Sequence, residues 1–182
     1  MMNKRPKYKT AGLPKAQGLY NPQNEHDACG VGMVVNIKNK ASYEIVSKGL
    51  SMLCNLEHRG AVGADPKAGD GSGLLIQIPH KFLKKKIEGN FLLPEIGNYA
   101  VGVIFMPKEK NDQEIIKNII EKKCLDEGFD ILGWRVCPTQ TDDLGWSVLP
   151  STPDVFQIFI KRPNTFKTQD DFERNLYILR RC

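Results

Sequence analysis

Long hydrophobic runs are missing from this sequence, histidine is scarce, and no cysteines are paired for a metal. No apolar stretch nears the roughly 20 residues that a membrane-spanning helix needs, so no membrane is expected as a partner. Residues 1–28 also lack the apolar centre of an export signal. Histidine occurs only at positions 26, 58 and 80, and none of the three stands in a spacing such as H-E-x-x-H that would hold a metal. The five cysteines, Cys29, Cys54, Cys124, Cys137 and Cys182, contain no C-x-x-C pair and match no zinc spacing, so no metal site is expected. An odd number of thiols with no export signal predicts reduced cysteines and a cytoplasmic protein. Acidic residues are absent before Glu25, while Lys4, Arg5, Lys7, Lys9 and Lys15 carry much of the net charge of +5. A tail of this kind is read as solvated, and nucleic acid is not expected as a partner. Organelle transit peptides are also poor in acids and stay open as an alternative, although Pro6, Pro14 and Pro22 interrupt any amphipathic pattern.

The 182 residues that carry these gaps are 41% hydrophobic and 26% charged, ordinary values for a folding chain. After the polar, proline-punctuated leader, residues 29–38 form a nearly continuous apolar run and predict a strand covered on both faces. Residues 42–59 predict a helix with Ser42 as N-cap and Gly60 as its stop. Its apolar stripe is Val46, Leu50, Leu53 and Cys54, widened by Met52 and Leu56, which makes Cys54 a core residue. A glycine-rich loop (61–73) leads into a second buried strand (74–79) and a short basic helix, HKFLKKK. Further strands are predicted at 99–107, 129–138 and 154–163. A helix at 112–124, capped by Asp112, places Ile115, Ile116, Ile119, Ile120 and Cys124 on one side. Near the end, Phe172, Leu176 and Leu179 form an apolar helical face followed by nothing, which predicts a domain incomplete at its C-terminus. The irregular mixture of strands and helices predicts an α+β or α/β layered fold.

Three segments could carry chemistry. Taken alone, Cys29 reads as a small buried hydrophobe. The Arg59–Gly60 pair reads as a charge placed well against a helix dipole. The glycines of AGDGSG, 68–73, could line a ligand with backbone N–H groups, but the segment fits neither phosphate-binding fingerprint, and a turn before a strand accounts for it.

Together the segments point elsewhere. HDACGVGMVVNI, followed by LCNLEHRGAVGADPKAGDGSGLLIQIPHKFL, resembles the N-terminal amidotransferase domain of glutamate synthase large subunits. That domain is a branch of the class II glutamine amidotransferases. The resemblance is strongest from Asn24 to Leu83 and continues more weakly to FERNLYILRR. It implies an α+β fold of the N-terminal-nucleophile hydrolase type, a four-layer αββα sandwich incomplete at the C-terminus. It implies a leader or propeptide at 1–28 and the N-terminal portion of the amidotransferase domain at 29–182. By position, Cys29 is the nucleophile, Arg59 shapes its pocket and approaches substrate, and Asp70 and Gly71 are weaker substrate-binding candidates. The implied reaction turns L-glutamine into glutamate and ammonia, which passes to 2-oxoglutarate.

The same resemblance places the oxyanion-hole Asn-Gly pair and the main substrate anchors beyond residue 182. Loss of a single oxyanion donor costs about 10²–10³ in turnover, so an isolated chain without the pair is expected to be nearly inactive. No cofactor is expected in this segment. FMN and an iron–sulfur cluster are expected in the remaining domains of a full-length enzyme, with a small subunit or ferredoxin as a further partner. The electron donor, ferredoxin or a nicotinamide nucleotide, is not encoded here. A non-catalytic interaction module that keeps the fold without the chemistry is the alternative from another class.

Overall fold

The computed structural model of the chain describes residues 15–19, 21, 30–56, 64–68 and 71–182. The chain divides into two compact units, Met1–Leu74 and Leu75–Cys182.

The second unit is organised by one strand. Asp154–Lys161 (β3) alternates so that Phe156, Ile158 and Ile160 point to one side and Phe159 to the other, and all four are buried. Both faces are apolar because both are covered, the pattern expected of a central strand. Tyr99–Met106 (β1) and Asp130–Val136 (β2) pair with it, one on each edge, both antiparallel, giving the order β1-β3-β2. A β-bulge between Ile131 and Gly133 shifts the register of β2. The extra residue lets Ile131 and Trp134 share one face while Leu132 joins the other.

On the Ile158 side lie Lys110–Asp126 (α3) and Gln169–Arg181 (α4), which contribute Cys124 and Phe172 to a core closed by Phe129. Helix α3 ends in a Schellman motif. The Gly128 N–H donates to the Leu125 carbonyl at 3.0 Å and the Phe129 N–H to the Cys124 carbonyl at 2.8 Å. Gly128 supplies the positive φ of 77° that this turn needs, and Phe129 then packs back onto Cys124. Burial, with a smaller contribution from Glu121, pushes the Cys124 thiol above its ordinary pKa, which marks it as a packing residue. Helix α4 starts with a capping box between Thr168 and Asp171.

Three side-chain ties join α3 to the sheet. Gln113 is buried and its Nε2 donates to the Pro107 carbonyl at 2.6 Å and to Asp154 Oδ2 at 2.9 Å. Trp134 Nε1 donates to Glu121 Oε1 at 2.7 Å, and the Lys117 ammonium sits 4.5 Å from the Phe156 ring centre. The other tryptophan, Trp146, lies in the β2–β3 connection and is 72% exposed.

On the Phe159 side, the short helix His80–Lys86 (α2) inserts Leu83, followed by Ile87 and the edge-on ring of Phe91, 5.2 Å from Phe159. Phe91 lies over Gly133, where any Cβ would collide with the ring. His80 Nδ1 and the Tyr99 hydroxyl are 3.1 Å apart, which ties α2 to β1. Farther along β1, Val103 and Phe105 on this same face are exposed.

Several expectations are corrected. Residues 30–38 and 74–79 are not strands. They have no ladder partner among the described residues, and their apolar side chains are open, Val31 at 91% and Leu75 at 100% exposure. An apolar run measures the tendency to be buried and does not supply a pairing partner. Helix α1 covers Tyr43–Asn55 and stops with Leu56 as its cap, short of the expected Arg59, while Gly60 lies outside the described residues. Cys54 is exposed rather than core, as is Leu50, because the inward face of α1 is centred on the buried Gly49. The N-cap of α3 is Glu109, not Asp112, which falls in the first turn. Ile115 and Ile119 are exposed, since the buried stripe runs through Gln113, Ile116, Ile120 and Cys124. The apolar face expected of α4 is present, with Phe172 buried and Leu176 and Leu179 packed against the same core.

Candidate active site

Three of the four expected site residues, Cys29, Arg59 and Asp70, lie outside the described residues. The elements that lead to them are described, and they converge on helix α1. Gly49, Met52 and Leu56 recur at i, i+3 and i+7, one side of the helix and its cap. Each meets an extended segment through a glycine contact. A Cβ on Gly30 would fall 2.9 Å from Leu56 Cδ2, and one on Gly32 would run into Met52 Sδ. A Cβ on Gly49 would fall 2.8 Å from Leu74 Cδ1. Gly30, Gly32 and Leu74 therefore lie against α1, where an added methyl would require the Leu56, Met52 or Leu74 side chain to shift.

The fourth residue, Gly71, is exposed, has φ +82°, and has open space where a Cβ would point. Its requirement for glycine is conformational, since this φ is rarely adopted by other residues. It sets the direction of the loop at this point.

Sequence reasoning missed Asp65. Its carboxylate is buried at 5% exposure, and Oδ1 accepts the Lys67 N–H at 3.1 Å while its carbonyl accepts the Ala68 N–H at 3.0 Å. This turn holds the ADPKA segment that leads towards Asp70 and Gly71. The signal available in sequence was Asp-Pro, a strong turn initiator.

The second unit has an open groove of about 570 Å³ lined by Glu121, Leu125, Asp130, Ile131, Gly133 and Trp134. It contains no nucleophile, and Glu121 is engaged by Trp134. Among the described residues no three His, Cys, Asp or Glu side chains cluster as metal ligands. Among those residues, too, no helix is long and apolar enough to cross a membrane.

Comparison with known proteins resolves the family. The sequence profile of the class II glutamine amidotransferases matches residues 29–182, starting at Cys29 itself. This chain belongs to that family. Among curated relatives of this amidotransferase chain, the glutamate synthase [NADPH] large chain of Bacillus subtilis (strain 168) is 43% identical over 169 residues, 93% of this chain and 11% of the relative. The glutamate synthase [NADH] of Saccharomyces cerevisiae is 39% identical over 181 residues, 93% of this chain and 8% of its own length. The chloroplastic ferredoxin-dependent glutamate synthase of Oryza sativa subsp. japonica is 39% identical over 168 residues, 92% and 10% respectively. The amidotransferase chain thus spans about a tenth of the length of the curated relatives it matches.

Proposed function

We propose that this chain supplies the glutaminase nucleophile of a glutamate synthase large subunit, with Cys29 attacking the side-chain amide of L-glutamine. The observation that supports it most directly is the family match, which opens on Cys29 and covers 29–182. In this reading residues 1–28 are a propeptide. Before the Ala28–Cys29 bond is cut, the Cys29 nitrogen is an amide without a basic lone pair. Afterwards it is an α-amine with a typical pKa of about 7.7–8.0, suited to general-base work near neutral pH. The amine takes the thiol proton, the thiolate adds to the amide carbon, and the tetrahedral oxyanion collapses to a γ-glutamyl thioester. The departing nitrogen receives the proton and leaves as ammonia, and water then hydrolyses the thioester to glutamate. Thiol and base share one residue, so no histidine partner is needed.

Arg59 is assigned to the pocket wall, where a guanidinium would favour the thiolate. Asp70 and Gly71 are assigned to the loop beside the substrate. The four-layer αββα arrangement is supported by the sheet's second face, where exposed Val103 and Phe105 leave apolar surface for a further layer. The ammonia passes to 2-oxoglutarate in the remaining domains, which would hold FMN and an iron–sulfur cluster. Among the described residues the cysteines do not cluster as a ligand set. The relatives differ in naming NADPH, NADH or ferredoxin, so a small subunit or ferredoxin is the expected further partner. A cytoplasmic location completes the reading.

The test is covalent. 6-diazo-5-oxo-norleucine, a glutamine-shaped electrophile, is expected to label the matured protein at Cys29, with an intact mass starting at Cys29. Labelling that persists in Cys29→Ala, or a mature protein that keeps residues 1–28, would sink the assignment.

A further inference from the structure

The Phe159 face of the sheet is closed at one end by α2, Ile87 and Phe91 and open at the other. The register arranges the open end in two rows. Val103, Gln157 and Arg135 form one row. Phe105, Val155 and Cys137 form the next, with the Cys137 N–H donating to the Val155 carbonyl at 2.8 Å. The β1 side is apolar and uncovered, with Val103 at 57% and Phe105 at 70% exposure. The β2 side carries a cation. Arg135 is half-buried, and its Nη1 donates to Gln157 Oε1 at 2.7 Å and to Cys137 Sγ at 3.5 Å. Among the described residues no carboxylate pairs with Arg135, and its Nε and Nη2 donate to none of them. A guanidinium held in place with a fork of free donors is suited to a carboxylate. We infer that this open end docks a polypeptide segment that carries a carboxylate between apolar side chains. The carboxylate pairs with Arg135, and the apolar groups lie on Val103 and Phe105. Charge selects an acid over a neutral or basic segment. Spacing selects a polypeptide over a lipid: the two rows lie about 7 Å apart, the distance between same-side residues of an extended chain, and an acyl chain has no such repeat. The inference rests on the reading of this face as the seat of a further layer, and it adds the acid that the layer brings.

The experiment uses the whole chain and three probes: the peptide acetyl-Phe-Ala-Glu-Ala-Phe-amide and its versions with Gln or Lys at the centre. Cys137 lies in the second row, so its iodoacetamide rate reports cover of this face. At saturation the glutamate peptide is expected to slow Cys137 alkylation by at least about threefold, because the reaction needs access to the sulfur. It is expected to bind at least about threefold more tightly than the glutamine peptide, with the lysine peptide weakest. The exposed Cys54 and Cys182 should alkylate at unchanged rates, and the buried Cys124 should stay protected. Arg135→Gln is expected to make the glutamate and glutamine peptides equal, and Arg135→Lys to keep their order. If Arg135→Gln exposes Cys124 and so fails to fold, salt carries the same test on the unaltered protein: about 0.5 M sodium chloride should weaken the glutamate peptide and spare the glutamine one. Equal binding of all three peptides with Cys137 protected would keep the further layer and overturn the acid. No protection by any peptide would overturn both. Stronger protection by dodecanoate than by the glutamate peptide would make this a lipid surface. Protection that rises with protein concentration alone would make it a contact between two copies of the chain. Either result overturns the inference.

Discussion

The two units solve the packing problem in opposite ways. In residues 75–182 large side chains interlock: Phe129, Phe159 and Phe172 are each no more than 1% exposed, and aromatic rings from loops and helices close on both faces of a three-stranded sheet. In residues 30–74 the contacts are made by taking atoms away. Gly30, Gly32 and Gly49 let chain and helix touch, and apolar residues between those points stay open. Interlocked aromatics give depth and cooperativity; glycine contacts give close approach and little buried area. Every buried hydrophobic side chain among the described residues accordingly lies in 75–182.

The comparison can be broken most forcefully at Phe159. Phe159→Ala is expected to destabilise the second unit by about 3–5 kcal/mol, because neither sheet face can collapse into the space left. Urea denaturation should show it as a lower midpoint with an unchanged slope. A loss below about 1 kcal/mol would mean that the two cores are less interlocked than described.

Gly49→Ala sharpens the other side. Alanine favours a helix over glycine by up to about 1 kcal/mol, yet its methyl would stand 2.8 Å from Leu74 Cδ1. Overpacking of this kind costs about 1–3 kcal/mol, so a net loss near 1 kcal/mol is expected. Native-state hydrogen exchange of α1 amides would read it. A gain in protection would show that Leu74 simply swings aside and that α1 is not tightly gripped.

The smallest expected effect is in the second unit at acid pH. Asp171 is held below the usual carboxylate range, chiefly by its hydrogen bonds with Thr168 and less by Arg174 and Arg162. A carboxylate with a depressed folded-state pKa stabilises fully above its unfolded pKa and loses that contribution as pH falls through the folded value. Asp171→Asn should therefore lower stability slightly at neutral pH and flatten the acid side of the profile, the two proteins converging at low pH. An identical acid limb in both proteins would remove the capping box from the account.

Legibility in the sequence did not follow the boundary between the units. From residue 99 onward each predicted strand (99–107, 129–138, 154–163) is present within a few residues, because alternating or continuous apolar runs there find partners in the same stretch of chain. The helix at 169–181 was readable from its apolar face, Phe172, Leu176 and Leu179. Before residue 99 the same logic placed strands at 29–38 and 74–79, where an apolar run found no ladder partner among the described residues, and made Cys54 a core residue. The Cys54 reading failed because glycine carries no hydrophobic signal. The inward face of α1 is centred on Gly49, so a stripe drawn through Leu50 and Cys54 is rotated off the true one. Periodicity also cannot report Asp65, whose burial depends on a turn formed by its neighbours. Of the site, motif order alone points to Cys29, which lies outside the described residues.

Both tryptophans, Trp134 bonded to Glu121 and the exposed Trp146, belong to residues 75–182. Intrinsic tryptophan emission therefore watches only the interlocked block, with one emitter quenched or shielded by its neighbours and the other already in water. Loosening around α1 would pass without any change in colour. A reporter on the exposed Cys54 sulfur would give the first unit a signal of its own.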